Sequence, residues 1–70
     1  VDMILANIVA DVIIGMAPLF LRCLKKGGRL IVSGIITERA EEVLSVLRET
    51  GFTVTEQKED NGWCAACLTA

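Results

Sequence analysis

Two short apolar runs mark the first half of the chain. They are DMILANI at residues 2–8 and RLIVSG at residues 29–34, and neither alternates strictly between apolar and polar positions. Continuous apolar runs of this length are typical of strands whose two faces are both covered, as in a parallel sheet. We therefore predict that both runs are strands of one parallel sheet.

A helix is predicted between these two strands. It opens at Ala10 and Asp11, with Asp11 as its N-cap, and runs to about Lys25 at helical apolar spacing. Pro18 falls inside this segment, so a kink or a restart is expected there. Gly27 or Gly28 is expected to provide the left-handed residue that ends the helix.

A second amphipathic helix is predicted from Thr37, as N-cap, to about Glu49. One side carries charged and polar residues that face water, and Gly51 ends the segment. The opposite side carries an apolar stripe made of Ala40, Val43, Leu44 and Leu47.

The remaining segment has the pattern of a β-hairpin. Residues 52–58 alternate with a period of two, and residues 63–69 form the returning strand. Asn61-Gly62 lies between them, and this pair suits the two positive-φ positions of a type I′ turn. The predicted class is therefore α/β with the order β-α-β-α-β-β. Right-handed crossovers place both helices on one sheet face and leave the opposite face without a helix.

Composition narrows the function classes. The 70 residues are 53% hydrophobic and 23% charged, which suits one domain over residues 1–70 rather than a disordered chain. The net charge of −2 includes no basic stripe, so direct nucleic-acid binding is not expected. No apolar run is long enough for a membrane span and no targeting leader is indicated. Three cysteines fit reduced thiols in a cytoplasmic protein.

Several local motifs invite a chemical interpretation that their context does not favour. Cys64 and Cys67 are three apart in a predicted strand, so they point to opposite faces, and without any His a zinc site lacks ligands. Residues 25–28, KKGG, lead out of a helix, whereas a phosphate loop leads into one. No metal site is predicted. A solvated helix face explains the carboxylates Glu38, Glu41 and Glu42.

A few single residues remain as candidates. Trp63 is interpreted as a packing anchor at the start of the last strand, and Cys23 as a core residue of the first helix. Ser33 and Thr37 lie near the carboxyl end of the second strand, on the same rim as Asn7, and are candidates for lining a cleft there.

The motifs of the chain resemble one enzyme family. An antiparallel hairpin after parallel strands is similar to the second half of the seven-stranded, Rossmann-like class I methyltransferase fold. The resemblance is sharpest for the bacterial methyltransferases of large-subunit ribosomal protein eleven. It covers nearly all 70 residues and rests on Ala6-Asn7-Ile8, Ala17-Pro18 and Gly27-Gly28-Arg29-Leu30-Ile31-Val32-Ser33-Gly34.

This resemblance implies a fold, a cofactor and a partner. The four strands would be the fourth, fifth, sixth and seventh of the sheet, with the seventh inserted antiparallel between the fifth and sixth. The chain is then expected to be a C-terminal fragment, because the family's Gly-rich loop and ribose-binding acid are not among these residues. The intact enzyme would transfer methyl groups from S-adenosylmethionine to amino groups of the ribosomal protein. The fragment alone is expected to be inactive and to self-associate through its uncovered sheet face.

Asn7 is the site residue that the resemblance implies. Amino-methylating relatives carry Asn or Asp followed by Pro-Pro-aromatic at this strand end, whereas residues 8–10 are Ile-Val-Ala here. Contact with S-adenosylmethionine is therefore the role expected for Asn7, and no catalytic residue is assigned. From the residues alone, Asn7 caps the following helix or stabilises a turn.

Two other functions stay open. One is a different methyltransferase of the same fold, acting on a small molecule or a protein amide. The other is a non-catalytic α/β interaction module whose bare sheet face pairs with a partner or with a second copy.

Overall fold

The secondary-structure elements alternate between strands and helices before ending in two consecutive strands. The computed structural model describes residues 1–7 and 9–70, so the end of the first predicted strand at residue 8 lies outside the described residues. The elements are β1 (Met3–Asn7), α1 (Ala10–Cys23), β2 (Arg29–Ile36), α2 (Thr37–Thr50), β3 (Thr53–Asp60) and β4 (Trp63–Thr69).

The four strands form one mixed sheet in the order β1-β2-β4-β3. β1 is parallel to β2, while β4 lies between β2 and β3 and is antiparallel to both. The predicted hairpin is confirmed, since Asn61 and Gly62 both have positive φ, at 50° and 83°. The chain is therefore an α/β protein whose last strand enters the middle of the sheet.

The hydrophobic core lies on one face of this sheet. Both helices pack there, and alternate residues of β2 and β4 point toward them. On the opposite face Met3 and Leu5 are exposed, while Ile31 and Cys67 are half-buried. The prediction that the described chain covers only one sheet face with helices is thus confirmed. The largest fully buried side chains are Ile13, Leu30, Ile35, Leu47, Leu68, Val32 and Val43.

The start of α1 differs from the prediction. Its N-cap is Val9 and no side chain caps it, so the prediction that Asp11 is the N-cap is wrong. Asp11 instead lies in the first turn, where its charge is favourable to the positive helix end. The helix is continuous through Pro18, so it does not restart there.

The end of α1 also differs. The helix ends at Cys23, and Leu24 is extended and buried. Gly27, at φ +81°, lies in the following turn, which the Gly28 amide closes by donating to the Lys25 carbonyl at 2.7 Å. The Lys25 amide donates to the Val1 carbonyl at 2.8 Å, so bonding to the segment before β1 replaces further helical bonding.

Cys23 was expected in the core but is exposed. The buried positions of α1 are Ala10, Ile13, Ala17 and Phe20, and the core face continues through Leu24. Cys23 falls one residue before that last core position, which turns its thiol toward solvent.

α2 begins directly where β2 ends. Because no loop separates them, the extended residue Ile36 occupies the N-cap position and Thr37 is the first helical residue, so the predicted Thr37 cap is wrong. The Thr37 amide donates to the Gly62 carbonyl at 2.9 Å, which joins the start of α2 to the hairpin turn. The last helical residue is Thr50, one residue later than the expected Glu49, and Gly51, at φ +130°, ends the helix as predicted. The predicted apolar stripe is confirmed, because all four of its members are buried.

Candidate functional site

Asn7 lies at the carboxyl end of β1. Its partner in the parallel ladder is Ser33 of β2, so the two residues reach the same edge of the sheet. Asn7 is exposed and Ser33 is half-buried. Open α/β sheets bind ligands beyond the carboxyl ends of their parallel strands. This edge, which we call the rim, is therefore the part of the fold to which a ligand site belongs.

Gly34 lies beside the side chain of Asn7. The pairing of β2 with β4 shifts register between Val32 and Ile35, and Gly34 lies in this irregular segment with φ +74°. A Cβ atom at Gly34 would collide with the Asn7 Oδ1 atom. Glycine is therefore required twice at this position, once for its backbone conformation and once for the asparagine amide.

Asn7 does not act as the cap of the next helix. α1 has Val9 at its N-cap and no side-chain capping hydrogen bond. The explanation that Asn7 is polar because it caps α1 is therefore wrong. Capping does not account for the exposed amide at the rim.

Trp63 stands at the same rim. It is the first residue of β4 and pairs with Ile36 of β2, but 54% of its surface is exposed. The interpretation of Trp63 as a packing anchor is therefore wrong. Together with Val9, Ile36 and Gly34 it lines a depression of about 190 Å³, which we call the rim depression.

Asp11 and Arg39 also line the rim depression and belong to an ion-pair cluster. The Arg39 guanidinium donates hydrogen bonds to Asp11 Oδ1 at 2.7 Å and to Glu42 Oε1 at 2.8 Å. The pKa of Asp11 is lowered because it accepts the hydrogen bond from Arg39 and lies beside its positive charge. The pKa of Arg39 is raised by the hydrogen bonds to Glu42 and Asp11. The cluster connects α1 with α2, and Arg39 favours the ionised form of Asp11.

Sequence patterns missed Gly34 and Arg39. A signal for Arg39 exists, because a cation in the first turn of a helix opposes the helix dipole unless a carboxylate compensates it. Ser33 lies at the rim as predicted. Thr37 instead lines a separate depression with Arg48 and Gln57, away from Asn7.

The remaining motifs lie away from the rim or lack ligands. Cys64 is buried on the core side of β4, and Cys67 is half-buried on the opposite face. Within residues 1–7 and 9–70, no group of three or more His, Cys, Asp or Glu could hold a metal ion. Lys25 pairs with Asp2 at 3.5 Å at the opposite edge of the sheet from the rim. None of the helices in the described part of the chain is long and apolar enough to cross a membrane.

The structure is similar to a solved ribosomal protein L11 methylase from Lactobacillus delbrueckii subsp. bulgaricus. The two agree with a TM-score of 0.91 and 25% identity, over 96% of this chain and 35% of that one. The four-stranded mixed sheet and its two helices therefore recur in a larger solved protein.

Sequence comparisons point to the same enzymes. The "ribosomal protein L11 methyltransferase" of Desulforamulus reducens is 54% identical over 63 residues, which is 90% of this chain and 20% of the relative. That of Carboxydothermus hydrogenoformans is 48% identical over 64 residues, or 91% of this chain and 21% of the relative. The chain thus spans about a fifth of the length of the curated relatives it matches. The family model described as "Ribosomal protein L11 methyltransferase (PrmA)" matches residues 1–70. The chain belongs to the ribosomal protein L11 methyltransferase family.

Proposed function

We propose that the complete gene product is an S-adenosylmethionine-dependent protein methyltransferase acting on amino groups of ribosomal protein L11. Residues 1–70 would form the C-terminal part of its catalytic domain, and would be inactive alone. The family match over all 70 residues supports this, as do the names of the relatives. The chain matches only about a fifth of the length of each relative, which supports its assignment to one part of a larger enzyme.

The topology supports a seven-stranded sheet in that enzyme. β1, β2, β3 and β4 would be its fourth, fifth, sixth and seventh strands, since β4 lies antiparallel between β2 and β3. The outer edge of β1 pairs with no other strand of the described chain, and further parallel strands would extend the sheet there. The uncovered face with Met3 and Leu5 would then be closed by helices of the same domain.

The position of Asn7 carries the proposal of a cofactor site. Its exposed amide has both donors and an acceptor, it ends a parallel strand, and the missing Cβ of Gly34 leaves room for its Oδ1 atom. These features fit a contact with the polar groups of S-adenosylmethionine. When bound, that cofactor supplies the electrophilic methyl group. Asn7 would hold the cofactor in one orientation, which matters because methyl transfer depends mainly on alignment of the reacting atoms.

The test of this contact is Asn7→Ala in the complete gene product. We expect the affinity for S-adenosylmethionine, measured by titration calorimetry, to fall about tenfold, since a lost ligand hydrogen bond costs about 1.5 kcal/mol. The unfolding temperature should change little because the side chain is exposed. Ser45→Ala, an exposed polar deletion on α2, is the matched control. An unchanged affinity in Asn7→Ala would remove Asn7 from the cofactor site.

The exposed apolar positions on the open sheet face favour a second candidate, a non-catalytic interaction module. In that case the 70-residue chain would self-associate through this face, as Met3 and Leu5 at 49% and 72% exposure suggest. A thermal-shift measurement on the complete gene product separates the candidates. Stabilisation by S-adenosylmethionine supports a methyltransferase, whereas none supports the interaction module. Methylation assays on purified ribosomal protein L11, small amines and other proteins then separate this enzyme from other methyltransferases of the same fold.

The proposed site of action is the cytoplasm, where ribosomal proteins are available as substrates. The free thiols of Cys23, Cys64 and Cys67 suit a reducing compartment. Fractionation of cells that express the tagged complete protein, with detection in the ribosome-containing fraction, would test this location.

A further inference from the structure

We infer that Asn61 is a site of spontaneous deamidation, and that the hydrogen bond between the hairpin turn and α2 limits its rate. The reacting groups are the side-chain amide of Asn61 and the backbone amide of Gly62, which are adjacent in the turn between β3 and β4. The product carries an acid in place of the side-chain amide. This inference does not depend on the proposed function, because the reaction needs only these two residues and water.

Deamidation of this pair is a cyclisation followed by a hydrolysis. The backbone nitrogen of Gly62 loses its proton and attacks Cγ of Asn61, so a carbon–nitrogen bond forms and the side-chain nitrogen leaves as ammonia. The succinimide ring then takes up a water molecule at either of its carbonyl carbons. Opening at one carbon gives aspartate, and opening at the other gives isoaspartate, in which the main chain runs through the β-carbon. Water is consumed, ammonia is released, and no group is oxidised or reduced.

The turn gives this reaction free access. Asn61 and Gly62 are both exposed, and a Cβ atom added to Gly62 would meet nothing within 4 Å. The missing side chain leaves the attacking nitrogen unhindered, and the open surroundings admit water and release ammonia. Among the backbone hydrogen bonds of residues 1–7 and 9–70, Gly62 accepts through its carbonyl, but its amide is not a donor. The nucleophile therefore becomes available without the loss of a hydrogen bond.

Asn7 provides an internal comparison, because it is the other asparagine of the chain. Its side chain is exposed, like that of Asn61, but the residue after it is Ile8. The branched and stiff side chain of isoleucine crowds the backbone nitrogen that would have to attack. The two asparagines thus share their exposure and differ in the residue that supplies the nucleophile.

The contact between the turn and α2 opposes the cyclisation. The succinimide ring includes Cα and the carbonyl carbon of Asn61 and the nitrogen of Gly62, so the turn must change its shape before the ring closes. In the folded chain the Thr37 amide donates to the Gly62 carbonyl at 2.9 Å. This bond holds the turn in place, and its opening is therefore the local event that limits the rate.

Conversion of Asn61 would in turn loosen the end of the hairpin. Isoaspartate lengthens the main chain by one carbon atom, so a two-residue turn no longer fits the pairing of Asp60 with Trp63. Both products also place a new negative charge directly after Glu59 and Asp60, and these like charges repel each other. We therefore expect the converted protein to lose the bond between the turn and α2.

The test is incubation of the complete gene product at neutral pH, followed by proteolysis and mass spectrometry of the peptides that contain Asn61 and Asn7. An unincubated sample is the blank. We expect Asn61 to convert about tenfold faster than Asn7, equivalent to about 1.4 kcal/mol in the activation free energy. The rate at Asn61 should rise with pH, because the attacking nitrogen must lose its proton. Equal conversion at the two asparagines, or none at Asn61, would overturn the inference.

Thr37→Pro tests the role of the bond to α2. Proline has no amide proton, so the variant removes this bond, and proline is tolerated at the first position of a helix. The preceding residue, Ile36, already has the extended conformation that proline requires, at φ −65° and ψ 142°. Thr37→Ala is the matched control, because it keeps the amide and removes only a hydroxyl that has no hydrogen-bond partner among the described residues.

We expect Thr37→Pro to deamidate at Asn61 about three- to tenfold faster than Thr37→Ala, the range that corresponds to one lost hydrogen bond. Equal rates in the two folded variants would refute the role of the bond. If Thr37→Pro does not fold, as judged by circular dichroism, hydrogen exchange of the incubated wild type replaces it. The Thr37 amide should then lose protection in the isoaspartate form, and unchanged protection would refute the coupling of the turn to α2.

Discussion

The substitution Gly34→Ala tests whether the rim depends on a direct conflict between residue 34 and the Asn7 amide. An alanine at φ +74° takes a left-handed backbone conformation, at a cost of about 1–2 kcal/mol. Its Cβ would also displace Asn7 Oδ1, and moving that side chain off its rotamer adds about 0.5–1.5 kcal/mol. The expected loss is therefore about 1.5–3.5 kcal/mol, a large part of the stability of a 70-residue chain.

Gly62→Ala supplies the matched control. Gly62 has a similar φ of +83°, but an added Cβ there meets nothing within 4 Å. It should therefore lose only the backbone part, about 1–2 kcal/mol. Urea unfolding of the chain, followed by circular dichroism, measures both losses.

A double-mutant cycle then isolates the contact itself. In an Asn7→Ala background, the amide that conflicts with the new Cβ is gone, so Gly34→Ala should cost no more than Gly62→Ala. Equal losses for the two glycine variants in the wild-type background would refute the reasoning. So would an extra loss at Gly34 that survives the removal of the Asn7 amide.

Two further predictions concern the stability of the chain. Arg39 lowers the pKa of Asp11 below its usual 3.8, so this ion pair stabilises the fold at neutral pH, and its contribution disappears as the pH falls through the lowered pKa. Asp11→Asn should therefore be less stable than wild type at pH 7 in urea unfolding, and this difference should shrink as the pH falls through the lowered pKa; a pH-independent difference would contradict the assignment. Leu47→Ala, at a fully buried position of α2, should lose about 2–5 kcal/mol. Leu19→Ala, at an exposed position, should stay within about 0.5 kcal/mol of wild type, and similar losses for the two would contradict the core described above.

Local chemistry explains why some elements were predictable. The strand at residues 63–69 and the Asn61-Gly62 turn agree with the structure, since the turn type requires two positive-φ residues and this dipeptide accepts them. The apolar stripe of α2 was predictable for a similar reason, because a helical period of 3.6 residues leaves few ways to bury it. Gly51 ends α2 because glycine takes its positive φ without steric cost.

The helix ends were less predictable because distant partners determine them. Thr37 and Asp11 both have the chemistry of an N-cap. In the structure the Thr37 amide bonds to the hairpin turn and the Asp11 carboxylate to Arg39 on the other helix. Neither residue is an N-cap, and each bonds to a residue more than twenty positions away in the chain. No local sequence pattern reveals such a partner.

The candidate site also has a part that the sequence predicts and a part that it does not. Asn7 and Ser33 were predictable as rim residues, because parallel strands end at one edge of a sheet whatever surrounds them. The rim depression was not, since Trp63, Ile36 and Arg39 come from three elements that meet only when β4 inserts between β2 and β3. Hydrophobic period and turn chemistry act within a few residues, and so the amino-acid order alone specifies the elements and their sequence along the chain. Strand insertion and ion pairing act between distant segments, and so only the packed fold assigns Trp63 to the surface and Asp11 to Arg39.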